Sequence, residues 1–226
     1  MNHPESIPTR PDWASLQTVL LDMDGTLLDL HFDSYLWQKH LPVRYAQRHG
    51  IPIEAALEFL LTRIRAEEGT LNWYCLDYWT RELGLDISVL EGEVSDRIAV
   101  RPHAEDFLQD LRRRGLRTVL ATNAHRRSLE LKLKRTGIAA YFDVIVSAHD
   151  FGHPKEHIGF WQRLQAETGF DPASTLLIDD NPQVLRTARD FGIRELLAVA
   201  QPDSAGPRRQ HADFAAIESF CDIISG

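Results

Sequence analysis

Cysteine is nearly absent from this chain: 226 residues hold two, Cys75 and Cys221, with no Cys-x-x-Cys pair. That excludes a disulfide scaffold and a zinc-ribbon site, and it points to a reducing cytoplasm. Long apolar runs are missing as well. No stretch approaches the ~20 residues of a membrane span, which leaves no membrane role to expect. The segment Met1–Trp13 is polar, carries three prolines and lacks the apolar centre of a signal peptide, so a flexible N-terminus is expected there. Positive charge is also scarce. Lys and Arg number 25 against 33 Asp and Glu, a net charge of -8, and no basic stripe stands out. A nucleic-acid polymer is therefore not the expected partner. A small phosphorylated metabolite is compatible, because a metal ion and a few local cations overcome the average field.

What the chain does contain is a rhythm. Five short apolar, β-rich runs recur, at Thr18–Leu21, Arg117–Ala121, Asp143–Ser147, Thr175–Ile178 and Glu195–Val199. Continuous rather than alternating apolar residues predict strands covered on both faces, as in a parallel sheet. Helical spacing fills the intervals: Phe107, Leu108 and Leu111, then Leu129, Leu131 and Leu133, then Phe160, Trp161 and Leu164. This alternation predicts a doubly wound, Rossmann-like α/β fold. One interval is too long. Roughly ninety residues separate the first two strands, far more than a crossover requires. Residues 31–98 read as an all-helical insertion of about four helices, with breaks at Pro42, Gly50-Ile51-Pro52, Gly69-Thr70 and Gly84. Residues 14–30 and 99–226 form the core, and the insertion should cover the first strand's loop. Gln201–Gln210 reads as a loop before a short terminal helix.

Ligands bind at the carboxyl ends of strands in such sheets. There the sequence places Asp22 and Asp24, then Thr122 and Asn123, then Lys155, then Asp179 and Asp180. Converging carboxylates cannot all stay ionised without a cation, and Mg²⁺ with hard oxygen ligands suits them. A carboxylate nucleophile can form an aspartyl-phosphate, and a second carboxylate two residues on can protonate the leaving oxygen and then activate water. Thr122 can hold a phosphoryl oxygen, and Lys155 can neutralise phosphate and nucleophile. Gly25 and Thr26 suit a tight loop whose N–H groups approach a phosphate.

Asp-x-Asp-Gly-Thr, Thr-Asn, Pro-Lys-Glu and Asp-Asp, in this order from Asp22 to Asp180, resemble the four motifs of the haloacid dehalogenase (HAD) superfamily. The insertion resembles that superfamily's first class of helical cap. The resemblance implies Asp22 as nucleophile and Asp24 as general acid/base. It implies Mg²⁺ held by the Asp22 side chain, the Asp24 carbonyl and the acidic pair, with Asp180 direct and Asp179 direct or through water. Further stretches, Phe32–Lys39, Leu71–Trp79, Thr122–His125 and Phe191–Arg194, look like bacterial GMP/IMP 5′-nucleotidases of this superfamily. That resemblance implies hydrolysis of purine nucleoside monophosphates, GMP or IMP.

Each motif has a plainer reading. Asp-x-Asp-Gly can be a turn, the acidic pair a helix cap, Thr122 a strand end and Lys155 a solvated loop residue. Trp37, Trp73, Tyr74, Tyr78 and Trp79 can stack a purine or fill the insertion's core. Asn72 and Asp77 are candidates for polar contacts to the base, and equally for capping. Cys75 reads as a small buried apolar residue. His149, His153 and His157 are spaced four apart, but Gly152 and Pro154 interrupt the helix that a metal face would need. Among competing functions, a dehalogenase needs neither Mg²⁺ nor Asp24. A phosphomutase or a sugar-phosphate phosphatase would keep the whole set, and a phosphometabolite-binding protein would have lost activity.

Overall fold

Val19 and Leu21 point to one face of their strand and Leu20 to the other, and all three are fully buried. Apolar layers on both sides follow from that. The computed structural model describes residues 10–224. Its sheet has six parallel strands: β1 (Thr18–Leu21), β2 (Arg117–Thr122), β3 (Val144–Ser147), β4 (Thr175–Asp179), β5 (Glu195–Val199) and β6 (Ala215–Ile217). Ten α-helices lie among the described residues: α1 (His31–Tyr35), α2 (Leu41–His49), α3 (Ile53–Ala66), α4 (Leu76–Leu83), α5 (Ile87–Glu93), α6 (Ala104–Arg113), α7 (Arg126–Thr136), α8 (Ala148–Phe151), α9 (Ile158–Thr168) and α10 (Pro182–Phe191). On one face Val19, Leu21 and Ile178 pack against Phe107, Leu111 and Leu129 of α6 and α7. On the other Leu20, Val119 and Leu177 meet Phe160, Trp161, Val184 and Leu185 of α9 and α10.

The strand order is β3-β2-β1-β4-β5-β6. The direction of winding reverses between β1 and β4, and such a reversal opens a crevice at the strand ends. Register decides what lines it. Leu21 pairs with Leu120 on one side and Ile178 on the other, so Asp22 and Asp179 emerge side by side, with Thr122 closing β2 nearby.

Helices α1 to α5 form a separate bundle with its own core, built on Phe32, Leu36, Leu60, Trp79, Leu83 and Ile87. The chain leaves for the bundle and returns from it through two linkers hydrogen-bonded to each other. Asp29 N–H donates to Ala99 O at 2.9 Å, and Arg101 N–H to Leu27 O at 2.9 Å. Among the described residues, no helix is long and apolar enough to cross a membrane.

Three details differ from the sequence reading. Pro42 does not break the bundle: a π-helical turn over Leu36–His40 joins α1 to α2, and Pro42 sits in the first turn of α2. The shifted register absorbs the N–H that proline lacks. Strand β6 was not expected, because three residues with two alanines carry almost no strand signal, and the terminal helix is a single 3₁₀ turn, Phe220–Asp222. The flexible-terminus expectation falls on residues 1–9, outside the described residues, and on Arg10–Trp13, where Trp13 is packed. Its ring lies 6.2 Å from that of Phe107, under the Arg114 guanidinium.

Candidate active site

The strand ends assemble one charge lattice. Lys155, 2% exposed, places its ammonium 2.5 Å from Asp22 Oδ1 and 2.7 Å from Asp179 Oδ2. Asp22 Oδ2 is buried and has no hydrogen-bond partner among the described residues. Asp179 Oδ1 accepts from Asn181 N–H at 2.9 Å, and Asp180 Oδ2 accepts from Arg209 at 2.9 Å. Capping of α10 falls to Asn181, whose side chain accepts from Gln183 N–H, so neither acid is consumed by the helix end. Thr122 Oγ1 accepts from Ala124 N–H at 3.0 Å and lines the same cavity.

Gly25 acts differently from the expectation. Its φ is +87°, and a Cβ there would lie 2.8 Å from the Asp180 carboxyl group. Its N–H donates to Leu28 O, and Thr26 N–H points to Met23 O, so the loop satisfies its own amides. Glycine is needed here so that the loop can approach Asp180. The Thr26 side chain is buried away from the cavity.

Burial with like charges nearby sets the electrostatics. Desolvation, then Asp22, raises Asp180 to about 7 against the pull of Arg209. Asp179 is raised well above the carboxylate range by burial, although Lys155 opposes the shift. Burial also brings Asp24 to about 7, against the pull of Lys132. For Lys155, burial alone would lower the ammonium, but Asp179 and Asp22 outweigh it and raise it.

Beyond Arg209 and Asn181, two more groups in this lattice have no role in the sequence reading. Lys132, 2% exposed, lies 2.8 Å from Asp24 Oδ1 and donates to both Asp33 oxygens at 2.8 and 3.0 Å. It thereby ties the core to α1 of the bundle. In sequence it hides between Leu131 and Leu133, yet the buried face of α7 is Ser128, Leu129 and Lys132. The signal was the four-residue spacing from Ser128, whose hydroxyl donates to buried Glu91 at 2.7 Å. Glu156 is the second. It accepts from Asn123 Nδ2 at 2.9 Å, Asn181 Nδ2 at 3.0 Å and the Tyr74 hydroxyl of the bundle at 2.6 Å. Asn123 Oδ1 in turn accepts Lys155 N–H at 2.9 Å, so Asn123 braces the lysine loop with both ends of its amide.

Above the lattice lies a cavity of about 690 Å³, roofed by Trp37, Trp73, Tyr74 and Trp79. Trp79 is buried in the bundle core, whereas Trp37, Trp73 and Tyr74 are half-buried. Asn72 and Asp77 do not line it. Asn72 is exposed and donates to Glu67 at 3.1 Å, while Asp77 pairs with Arg127 and lies 3.5 Å from His125 Nε2. Tyr78 also turns away, donating to Glu67 at 2.8 Å. The four-spaced histidines split up: His153 stacks on His157, and His149 faces His125.

Residues 16–192 match the description "haloacid dehalogenase-like hydrolase". The chain belongs to that family. It is 41% identical over 212 residues to the GMP/IMP nucleotidase YrfG of Escherichia coli, covering 94% of this chain and 96% of the relative. It is 26% identical over 217 residues to the pyrophosphatase PpaX of Oceanobacillus iheyensis, covering 93% and 96%. The fold matches a HAD phosphatase from Thermococcus onnurineus with a TM-score of 0.79 at 21% identity, over 92% and 95% of the chains. In this HAD-like hydrolase the acidic cluster fits a divalent cation. Carboxylate oxygens of Asp22, Asp179 and Asp180 lie within 4.8 Å of one another, and all three residues are buried. Three buried carboxylates so close together, two of them (Asp179 and Asp180) with raised pKa values, call for a hard cation.

Proposed function

We propose that this chain is a Mg²⁺-dependent 5′-nucleotidase that releases phosphate from GMP or IMP through an aspartyl-phosphate on Asp22. The observation that carries the reading is the division of Asp22. Lys155 takes one carboxylate oxygen, and the other is buried in the wall of the cavity without a partner among the described residues. An oxygen held in that way is oriented for attack and gives up no hydrogen bond when it forms the covalent bond to phosphorus. The purine assignment rests on the likeness to the E. coli nucleotidase and on a cavity of nucleotide size with an aromatic roof.

The steps follow from the residues. Asp22 bonds to phosphorus as the ester bond breaks, and Asp24 gives the leaving nucleoside oxygen its proton. A pKa of about 7 lets Asp24 hold that proton near neutrality and then take one from the water that cleaves the acyl-phosphate. Lys132 and Asp33 hold Asp24 in place, Thr122 is placed to bond a phosphoryl oxygen, and Lys155 offsets charge on Asp22 and phosphate. Asp22, Asp180, Asp179 and the Asp24 carbonyl would hold Mg²⁺, which supplies electrostatic stabilisation of the phosphoryl group. Residues 31–98 serve as the cap, with Trp73 and Trp37 facing the base. Two unpaired cysteines fit a cytoplasmic setting for this reaction.

The test is a panel of nucleotides and sugar phosphates assayed with and without Mg²⁺. Mg²⁺-dependent turnover led by GMP and IMP is expected. Fast sugar-phosphate turnover with inert purine monophosphates would remove the nucleotidase assignment, and turnover without metal would remove the mechanism.

A further inference from the structure

Beside the catalytic lattice lies a second cluster with different chemistry. Cys75 enters α4 of the cap, His125 caps α7, and His149 lies in α8 beyond β3. One donor atom from each lies within 4.8 Å of the other two. The two imidazoles meet edge to face, with centroids 4.9 Å apart and planes at 75°. His149 Nε2 is buried and makes no well-aligned hydrogen bond among the described residues, an unusual state for a polar ring atom that serves packing alone.

We propose that Cys75, His125 and His149 bind a zinc ion that joins the cap to the core. A thiolate and two neutral imidazoles are soft donors that favour Zn²⁺ over Mg²⁺, and three protein ligands leave a fourth position for water. Burial pushes His149 down to about 4 and also lowers His125, so both rings are neutral and can ligate near pH 7. Zn–N and Zn–S bonds of about 2.1 and 2.3 Å put tetrahedral donors about 3.5 Å apart, so rotamer adjustment suffices to close the cluster. His125 Nδ1 makes only a long cap contact, 3.4 Å from Arg127 N, so Nε2 is the ring atom offered to the ion, with the Asp77 carboxylate 3.5 Å from it bordering the cluster. Binding releases the Cys75 thiol proton.

The ion adds a bridge where the cap already meets the core through Tyr74–Glu156 and Asp77–Arg127. Zn²⁺ therefore acts as a latch that slows exchange at the cavity. This regulatory half rests on the nucleotidase reading, whereas the binding half does not.

Titration of the Mg²⁺-saturated full chain with Co²⁺, followed by Zn²⁺ displacement, tests the site without any turnover. One equivalent of Co²⁺ should give a sulfur-to-cobalt charge-transfer band and the intense visible bands of four-coordinate cobalt, both abolished by added Zn²⁺. Cys75→Ser should lose the charge-transfer band, Cys221→Ser should keep it, and His149→Gln should weaken Zn²⁺ binding about tenfold or more. Absence of the band in the native chain, or its survival in Cys75→Ser, overturns the site. Folding of all three variants is checked by far-UV circular dichroism and cooperative thermal unfolding, which do not depend on activity. For the latch, Zn²⁺ should inhibit GMP hydrolysis at saturating Mg²⁺, with about tenfold more Zn²⁺ needed in Cys75→Ser. Equal inhibition of both proteins overturns the latch while leaving the site intact.

Discussion

The floor and the roof of the cavity are built on opposite principles. On the floor nearly every polar group is braced by another: Lys155 by Asp22 and Asp179, Asn123 by Lys155 and Glu156, and Asp180 by Arg209. The roof presents half-buried aromatic rings on a bundle with its own core, joined to the sheet by two adjacent linkers and a few polar contacts. Braced charges give a fixed geometry for one reaction. Aromatic faces on a separable bundle give area for recognition, and changing them leaves the floor intact. The comparison predicts that floor substitutions act on the chemical step and roof substitutions on affinity.

Asp22→Asn should have the largest effect. The amide keeps the shape but cannot attack phosphorus, so kcat for GMP should fall about 10⁴-fold or more, read as phosphate release. GMP affinity measured by calorimetry should hold within a few fold. A variant retaining a tenth of the activity would remove Asp22 as nucleophile. Lys155→Met comes next and should act on folding as well. It leaves Asp22 and Asp179 facing each other without their ammonium, a loss of about 3–5 kcal/mol for a broken buried pair. Thermal unfolding of the metal-free protein should drop by about 10 °C. Mg²⁺ should restore part of that drop, since it supplies the missing charge, and an unchanged melting temperature would show that the lattice is not held by this lysine.

The floor was far more legible in the sequence than the roof, for a physical reason. Asp22, Asp24, Thr122 and the acidic pair sit at or just past the ends of strands, and parallel register carries them to one edge whatever the helices do, while Lys155 reaches them from the loop between α8 and α9. Asn72 and Asp77 lie on helices whose rotation is set by bundle packing, and neither faces the cavity: Asn72 is exposed and Asp77 is taken by Arg127. Lys132 shows the limit within the core itself, because a charged residue between two leucines reads as solvated until α7 is docked against Asp33 and Asp24.

Trp73→Ala tests the roof. Removing a stacking face should raise KM for GMP about tenfold, near 1.4 kcal/mol, with kcat within about twofold. A kcat effect larger than the KM effect would dissolve the division of labour between floor and roof. The metal-free floor should also respond to pH. Folding raises Asp180 from 3.8 to about 7, so the folded state binds more protons in that window. Its contribution to stability is full below the unfolded value and is lost as pH rises through about 7. Mg²⁺ relieves the charged form, so it should raise the melting temperature by a few degrees more at about pH 8 than at about pH 6. Equal shifts at both would mean that the cation does not bind at Asp180.

The smallest effect is expected where floor and roof meet. The Tyr74 hydroxyl donates to Glu156 at 2.6 Å, and burial, then Glu156, pushes the phenol well above its ordinary range, so it remains a donor across neutral pH. In Tyr74→Phe the ring still roofs the cavity, and Glu156 keeps its bonds to Asn123 and Asn181. The loss is one charge-assisted hydrogen bond, about 1.5 kcal/mol, shared between cap docking and overall stability. Because cap and core have separate apolar clusters, most of it should appear as looser docking: KM for GMP up about threefold, or ~0.6 kcal/mol, with kcat unchanged. Glu156→Gln, combined with it in a double-mutant cycle on KM, should show a coupling of about 0.5 kcal/mol or more. A fall in kcat at constant KM would instead place the Tyr74 hydroxyl among the groups of the reaction, and the floor would then extend into the cap.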